Sequence, residues 1–299
     1  MTPLFPQFVA EISSNHNRDL DRCFRMIEAA AKSGCAAAKF QLFRVDELFA
    51  PEILRHSPDH RARMDWELPE HFLPRLKACC DDNGIGFACT PFHLDAVDML
   101  EPLTAFYKIA SYELLWDGLL EKVAATGKPV VLSTGMANLS EIDHAVRVLK
   151  QAGASAITLL HCVSSYPTSA EQANLAAIGV MRDAFGLPVG WSDHSADPRI
   201  VLRAALKWEA PMIEFHLDLD EAGAEFDGGH CWLPNAIAQV IEDVSVSLSA
   251  DGRALKEPVP AEQDERPWRA DPEDGLRPLQ STRAVWIDAV HEAERKARA

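Results

Sequence analysis

Short apolar runs rich in β-branched and aromatic residues recur along the chain, and longer stretches with apolar positions at helical spacing follow most of them. Eight strand candidates stand out: FVAEIS from Phe8, AAAKFQ from Ala36, IGFACT from Ile85, FYKIAS from Phe106, PVVLST from Pro129, AITLLHC from Ala156, PVGWSD from Pro188 and MIEFHLD from Met212. Helices are predicted over residues 19–33, 69–83, 93–101, 117–126, 140–152, 171–184, 198–208 and 235–249. Such alternation is the pattern of βαβ units around a buried parallel sheet. Ser140 with Asp143 reads as a capping box, and Gly34, Gly84, Gly127 and Gly153 stop helices ahead of the next strand. A doubly wound open sheet gives the same alternation, but it usually carries a G-x-G-x-x-G turn after its first strand, and none occurs here. Eight units therefore predict an α/β fold of the (β/α)8 TIM barrel type over residues 1–249, with residues 250–299 as a tail that forms no separate domain.

Two segments fall outside this rhythm. Residues 42–68 form a charged insertion containing Arg55, His56, His60, Arg61 and Arg63, long enough to be expected as a lid or flexible segment. The tail opens on a stretch rich in proline and charge and closes on a short helix rich in Ala, Glu and Arg. Composition narrows the class. A net charge of −16 argues against nucleic acid and against a basic membrane-binding patch. Seven cysteines with no C-x-x-C pair suggest reduced thiols rather than disulfides or a zinc ribbon, and the N-terminus has no leader pattern, so a cytoplasmic protein is expected.

Polar residues at the carboxyl ends of barrel strands are where active sites are built, and nearly every predicted strand supplies them. Glu11 and Asn15 end the first, Lys39 and Gln41 the second, and Thr90 the third. Lys108, Ser111 and Glu113 follow the fourth, Ser133 and Thr134 the fifth, and His161, Ser164, Ser165 and Tyr166 the sixth. Ser192, Asp193 and His194 end the seventh, and Glu214, His216 and Asp218 the eighth. Singly, each has a structural explanation: a snorkelling lysine, a hydroxyl that caps a helix, a hydrogen-bonded core histidine. Together, two lysines and several hydroxyls suit a small phosphorylated anion. His194 and His216, on adjacent strand ends, suit either a divalent metal or a hydrogen-bonded structural pair.

The ordered motifs AEISSNHN at Ala10, KFQ at Lys39, TPF at Thr90, KIAS at Lys108, STGM at Ser133, LLHCVSSYPT at Leu159, GWSDHS at Gly190 and EFHLDLD at Glu214 resemble the N-acetylneuraminate (sialic acid) synthase family over about residues 8–235. That resemblance implies condensation of phosphoenolpyruvate with an aldose or N-acyl hexosamine. It also implies a divalent cation, Mn²⁺ first, with Mg²⁺, Co²⁺ or Zn²⁺ as alternatives. By motif, Lys39, Thr90, Ser111, Ser133 and Ser192 are expected to hold phosphoenolpyruvate together with Lys108. Gln41, Tyr166 and Asp227 are expected to face the sugar, His194 and His216 to bind the metal, and Glu11 and Glu113 to act as acid and base. No nucleic acid or membrane partner is implied, and a homodimer is compatible with the family.

The sequence departs from the family at three places. Phe215 stands where a lysine is usual between Glu214 and His216, and EFDGGHCWLP replaces the usual G-P-D-H pattern around Asp227. Residues 250–299 do not resemble the family's antifreeze-like C-terminal domain, which is expected to be missing, so the acceptor is expected to differ from N-acetylmannosamine; Arg266, Arg269 and Arg277 of the tail, or residues 42–68, are candidates to replace that domain's sugar contact. Two other functions compete with the synthase: a Schiff-base aldolase using Lys108, and a sugar-phosphate binder without turnover.

Overall fold

A computed structural model describes residues 5–298 and divides the chain into two compact units, Met1–Ala250 and Asp251–Ala299. In the first, strands β1 (Gln7–Glu11), β2 (Ala37–Leu42), β3 (Gly86–Pro91), β4 (Tyr107–Ile109), β5 (Val130–Ser133), β6 (Ile157–Cys162), β7 (Val189–Asp193) and β8 (Met212–Leu217) pair in parallel with their sequence neighbours. β1 also pairs with β8, from Gln7 opposite Met212 to Glu11 opposite His216, which closes the sheet into a barrel as expected. A two-residue strand, β9 (Cys231–Trp232), adds to β8.

The enclosing helices are α1 (Leu20–Lys32), α5 (Leu73–Asp82), α6 (Leu94–Leu100), α7 (Asp117–Ala125), α8 (Leu139–Gln151), α9 (Ala177–Phe185), α10 (Pro198–Leu206) and α11 (Pro234–Ala250). In α1, the Asp19 carboxylate accepts the free N–H groups of Asp21 and Arg22, and the helix buries Cys23, Met26, Ile27 and Ala30 at helical spacing. The predicted capping box lies two residues earlier than read. α8 begins at Leu139, so Asn138 is the N-cap and Glu141 its reciprocal partner. Gly34, Gly84, Gly127 and Gly153 all take positive φ after their helices, a conformation that costs glycine nothing.

Residues 42–68 are organised rather than an open loop, holding α2 (Val45–Leu48), α3 (Pro51–His56) and α4 (Pro58–Ala62), with a 3-10 turn at Arg63–Trp66. Pro51 and Pro58 sit at helix starts, where a missing N–H is harmless, and the Ser57 hydroxyl caps α4.

Strand alternation separates two cores. Phe8, Ala10, Phe40, Phe87, Tyr107, Leu132, Leu159, Trp191 and Phe215 point outward into the large apolar layer under the helices. Val9, Ala37, Val131, Leu160 and Met212, with Phe106, plug the barrel interior as a separate small cluster. A Cβ on Gly190 would lie 2.3 Å from the Met212 carbonyl oxygen, so the interior needs glycine there. The second unit is built from 3-10 turns and α12 (Gln280–Ala297), with Asp271 accepting the Gln280 N–H and Arg283 paired to Asp274 at 2.5 Å. Among the described residues, no helix is long and apolar enough to cross a membrane.

Candidate active site

One step of two along each strand carries the chain from the apolar plug to a polar layer above it. Val9 leads to Glu11, Ala37 to Lys39, Phe106 to Lys108, Val131 to Ser133, Leu160 to Cys162, Gly190 to Ser192 and Met212 to Glu214. The side chains of this layer are buried, and its charges compensate one another. Lys39 pairs with Glu11, lies 3.7 Å from Glu214 and donates to Thr90 Oγ1 at 3.2 Å. Lys108 donates to Glu214 Oε1 at 3.0 Å, and Ser192 donates to the same oxygen at 3.1 Å. Burial, with the charge of Lys108, lowers the Lys39 pKa to about 8, although Glu214 works against this. The two lysines hold Glu214 ionised, its pKa pulled down against the cost of burial. Strand-end position marks Glu214 in the sequence without assigning it a role; its place two residues after Met212 is the available signal.

Beside the lysines lies a group of hydroxyls. Ser111 accepts the Gly135 N–H at 2.9 Å, while the buried hydroxyls of Ser133 and Ser164 have no partner among the described residues. A Cβ on Gly135 would come within 2.4 Å of Ser164 Oγ and 2.8 Å of Ser111 Oγ, so the absence of a side chain there keeps these groups together. Ser164 joins the set read from sequence. Glu113 follows β4 in a 3-10 turn; burial raises its carboxyl to about 7, and Oε2 has no hydrogen-bond partner.

A ring of imidazoles stands higher, at the ends of β7 and β8. His194 and His216 have centroids 5.3 Å apart, and the Tyr166 ring lies 4.1 Å from His194. His194 Nδ1 is 2.8 Å from the Val163 carbonyl, so that nitrogen carries the proton and Nε2 keeps its lone pair. Burial lowers the His194 pKa to about 3, leaving the ring neutral and able to ligate. His216 Nδ1 lies 3.0 Å from Glu225 Oε2, the carboxylate–imidazole arrangement that orients metal ligands. These donors suit a divalent cation.

His230, Glu225 and Cys231, none singled out in sequence, also gather at His216. Asp227 is solvent-exposed, in the tight turn Phe226–Gly228 two residues beyond Glu225. Gln41, at the end of β2 opposite Thr90, is partly exposed, and Tyr166 is 44% exposed. Three other strand-end residues serve the scaffold. His161 points outward against Trp191 with Nε2 3.0 Å from the Ala173 carbonyl. Asp193 accepts from the indoles of Trp191 and Trp232, and Asp218 pairs with Arg22.

Known proteins resemble this chain over most of its length. An uncharacterised protein of Methanocaldococcus jannaschii is 38% identical over 262 residues, 87% of this chain and 76% of that relative. The N,N'-diacetyllegionaminic acid synthase of Campylobacter jejuni is 34% identical, over 85% of this chain and 80% of the synthase. The crystal structure of an N-acetylneuraminic acid synthetase from Leptospira borgpetersenii, in complex with citrate, superposes with a TM-score of 0.77 at 32% identity, over 88% of this chain and 90% of that one. The NeuB family model matches residues 26–256, and the chain belongs to the NeuB family, that of the sialic, legionaminic and pseudaminic acid synthases.

Proposed function

We propose that the chain is a cytoplasmic enzyme that condenses phosphoenolpyruvate with a sugar aldehyde, an aldose or N-acyl hexosamine, releasing phosphate and a 2-keto-3-deoxy sugar acid. The observation that carries this reading is the pair of buried lysines beside two unpartnered serine hydroxyls, a ready receptor for a small phosphorylated carboxylate. Lys39 and Lys108 counter the anion's charge, and Thr90, Ser111, Ser133 and Ser192 donate to its oxygens. Gln41, Tyr166 and Asp227 are assigned to the acceptor, and the assembly is taken as a homodimer.

In the reaction, C3 of phosphoenolpyruvate forms the new bond to the aldehyde carbon, and the aldehyde oxygen takes up a proton. Water adds to C2, and the C–O bond to phosphate breaks. Glu113 Oε2 takes the proton from that water, because a carboxyl with a pKa of about 7 holds and releases protons at neutral pH. Glu11 pairs with Lys39 and orients rather than transfers. The lysines stabilise the phosphate as it leaves. His194 and His216 would hold a divalent cation, Mn²⁺ by resemblance, whose chemistry when bound is Lewis-acid polarisation of a carbonyl oxygen.

The test is phosphate release from phosphoenolpyruvate by purified protein, with a panel of aldoses and N-acyl hexosamines and a series of divalent ions. Release with no acceptor in the panel would sink the reading. Binding of phosphoenolpyruvate without turnover would favour a non-catalytic role. A Schiff-base aldolase would instead leave a borohydride-trapped pyruvate adduct on Lys108; none is expected, since that amine is held by Glu214.

A further inference from the structure

The segment after β8 departs from the family pattern and builds a second set of donors onto His216. β9 runs parallel to β8 with Cys231 opposite His216, so the two side chains leave neighbouring strands on the same face. Glu225 Oε2 is 3.0 Å from His216 Nδ1 and 3.8 Å from His230 Nε2. One ligand atom from each of His216, Glu225, His230 and Cys231 can be chosen so that all four lie within 4.8 Å of one another. His230 is only 6% exposed, yet its Nδ1 is buried without a hydrogen-bond partner.

The cluster is held from below. Asn15, fully buried, accepts the Glu225 N–H at 2.8 Å and donates to the Leu217 carbonyl and to Cys231 Sγ at 2.9 and 3.4 Å. Ser13 Oγ donates to the other Glu225 oxygen at 2.6 Å. A Cβ on Gly228 would lie 2.8 Å from His230 Nδ1, so the loop keeps its backbone close to that imidazole. An ion pair between Glu225 and one histidine would explain a single contact. It does not call for a second buried imidazole and a thiol in the same few ångströms.

We propose that His216, Glu225, His230 and Cys231 bind one divalent ion and set its identity, selecting Zn²⁺ or Co²⁺ over Mn²⁺ or Mg²⁺. The inference deepens the metal-assisted reading above and rests on it for the ion's role. Nitrogen and sulfur donors together favour the borderline ions late in the first transition row, whereas Mn²⁺ and Mg²⁺ suit sites richer in oxygen and without a thiolate. The Cys231 thiol gives up its proton on binding, since the thiolate is the ligand.

The experiment is titration of the metal-free full chain with Co²⁺ and, separately, Mn²⁺, followed by absorption and calorimetry. Tighter binding of Co²⁺ is expected, with a sulfur-to-cobalt charge-transfer band in the near ultraviolet. Cys231→Ser removes the band, while His230→Gln and Glu225→Gln weaken Co²⁺ binding by at least about tenfold. Circular dichroism of each variant separates lost ligation from lost folding. A band that survives Cys231→Ser in a folded protein, or affinity unchanged in His230→Gln, overturns the proposal. Equal affinity for Co²⁺ and Mn²⁺ with no charge-transfer band also overturns it and leaves the ion to His194 and His216. A chain that binds no divalent ion overturns both this site and the metal-assisted reading. Co²⁺ bound with the expected band in a protein that releases no phosphate upholds the site and sinks only the catalytic reading.

Discussion

Lys108 Nζ lies 3.0 Å from Glu214 Oε1, joining β4 to β8, two strands that stand opposite one another in the eight-stranded barrel. The ion pair therefore spans the interior instead of bridging neighbours, and it fixes both a cation and an anion at the floor of the mouth. Glu214→Gln takes away the ion-pair partner of Lys108, while Lys39 keeps Glu11. The loss expected in urea unfolding is about 3–5 kcal/mol, the scale for removing one member of a buried pair. Saturating phosphoenolpyruvate should restore part of it, because its charge replaces the missing carboxylate.

Glu113 ties activity to pH. Burial raises its carboxyl to about 7, with Lys108 acting in the opposite sense. As a base it works only when ionised, so kcat/KM should climb with pH through an apparent pKa near that value. Glu113→Gln should remove this limb and lower kcat by about 10²- to 10⁴-fold.

Stability should move the other way. A folded-state pKa above the unfolded value of 4.5 means that the native protein holds the proton more tightly. This contribution is full below the unfolded pKa and is lost as pH rises through the folded one. Unfolding of wild type and Glu113→Gln at acidic and alkaline pH should show the variant gaining relative stability at the alkaline end.

Gly135→Ala tests the hydroxyl group. The added methyl would meet Ser164 Oγ at 2.4 Å and Ser111 Oγ at 2.8 Å, so these hydroxyls must shift. Losing one hydrogen bond to a charged ligand costs about 1.5–3 kcal/mol, which predicts a KM for phosphoenolpyruvate raised by about 10- to 100-fold. An unchanged KM in a folded variant would remove these hydroxyls from the anion site.

Arg22→Met tests the scaffold around the barrel seam. Arg22 donates to Asp218 and Asp220 at 2.6 Å each and to the Asn15 carbonyl, tying α1 to the chain beyond β8. Asp218 is fully buried, so its charge would lose its partner. A loss of about 3–5 kcal/mol is expected in urea unfolding, with Asp218→Asn/Arg22→Met losing less than Arg22→Met alone.

The eight strands were legible because a buried strand writes itself as a short apolar run, and the parity of each strand then assigns Lys39, Lys108, Ser133 and Ser192 to one interior layer. Parity also exposes His161 and Asp193 as outward-facing scaffold, a step that strand-end position alone does not supply. Residues 225–231 carry no comparable signal. Glu225 owes its place to Asn15, 210 positions earlier, and no local period encodes a contact of that range.

Alternation and helical spacing are local and repeat eight times, so the barrel, the order of its strands and the layer of lysines and hydroxyls can be read from the chain alone. The place of Glu214 between both lysines, the meeting of Glu225, His230 and Cys231 at His216 and the exposure of Asp227 emerge only in the folded barrel. Those relations depend on barrel closure, which brings β1 beside β8 and folds the following loop onto Asn15.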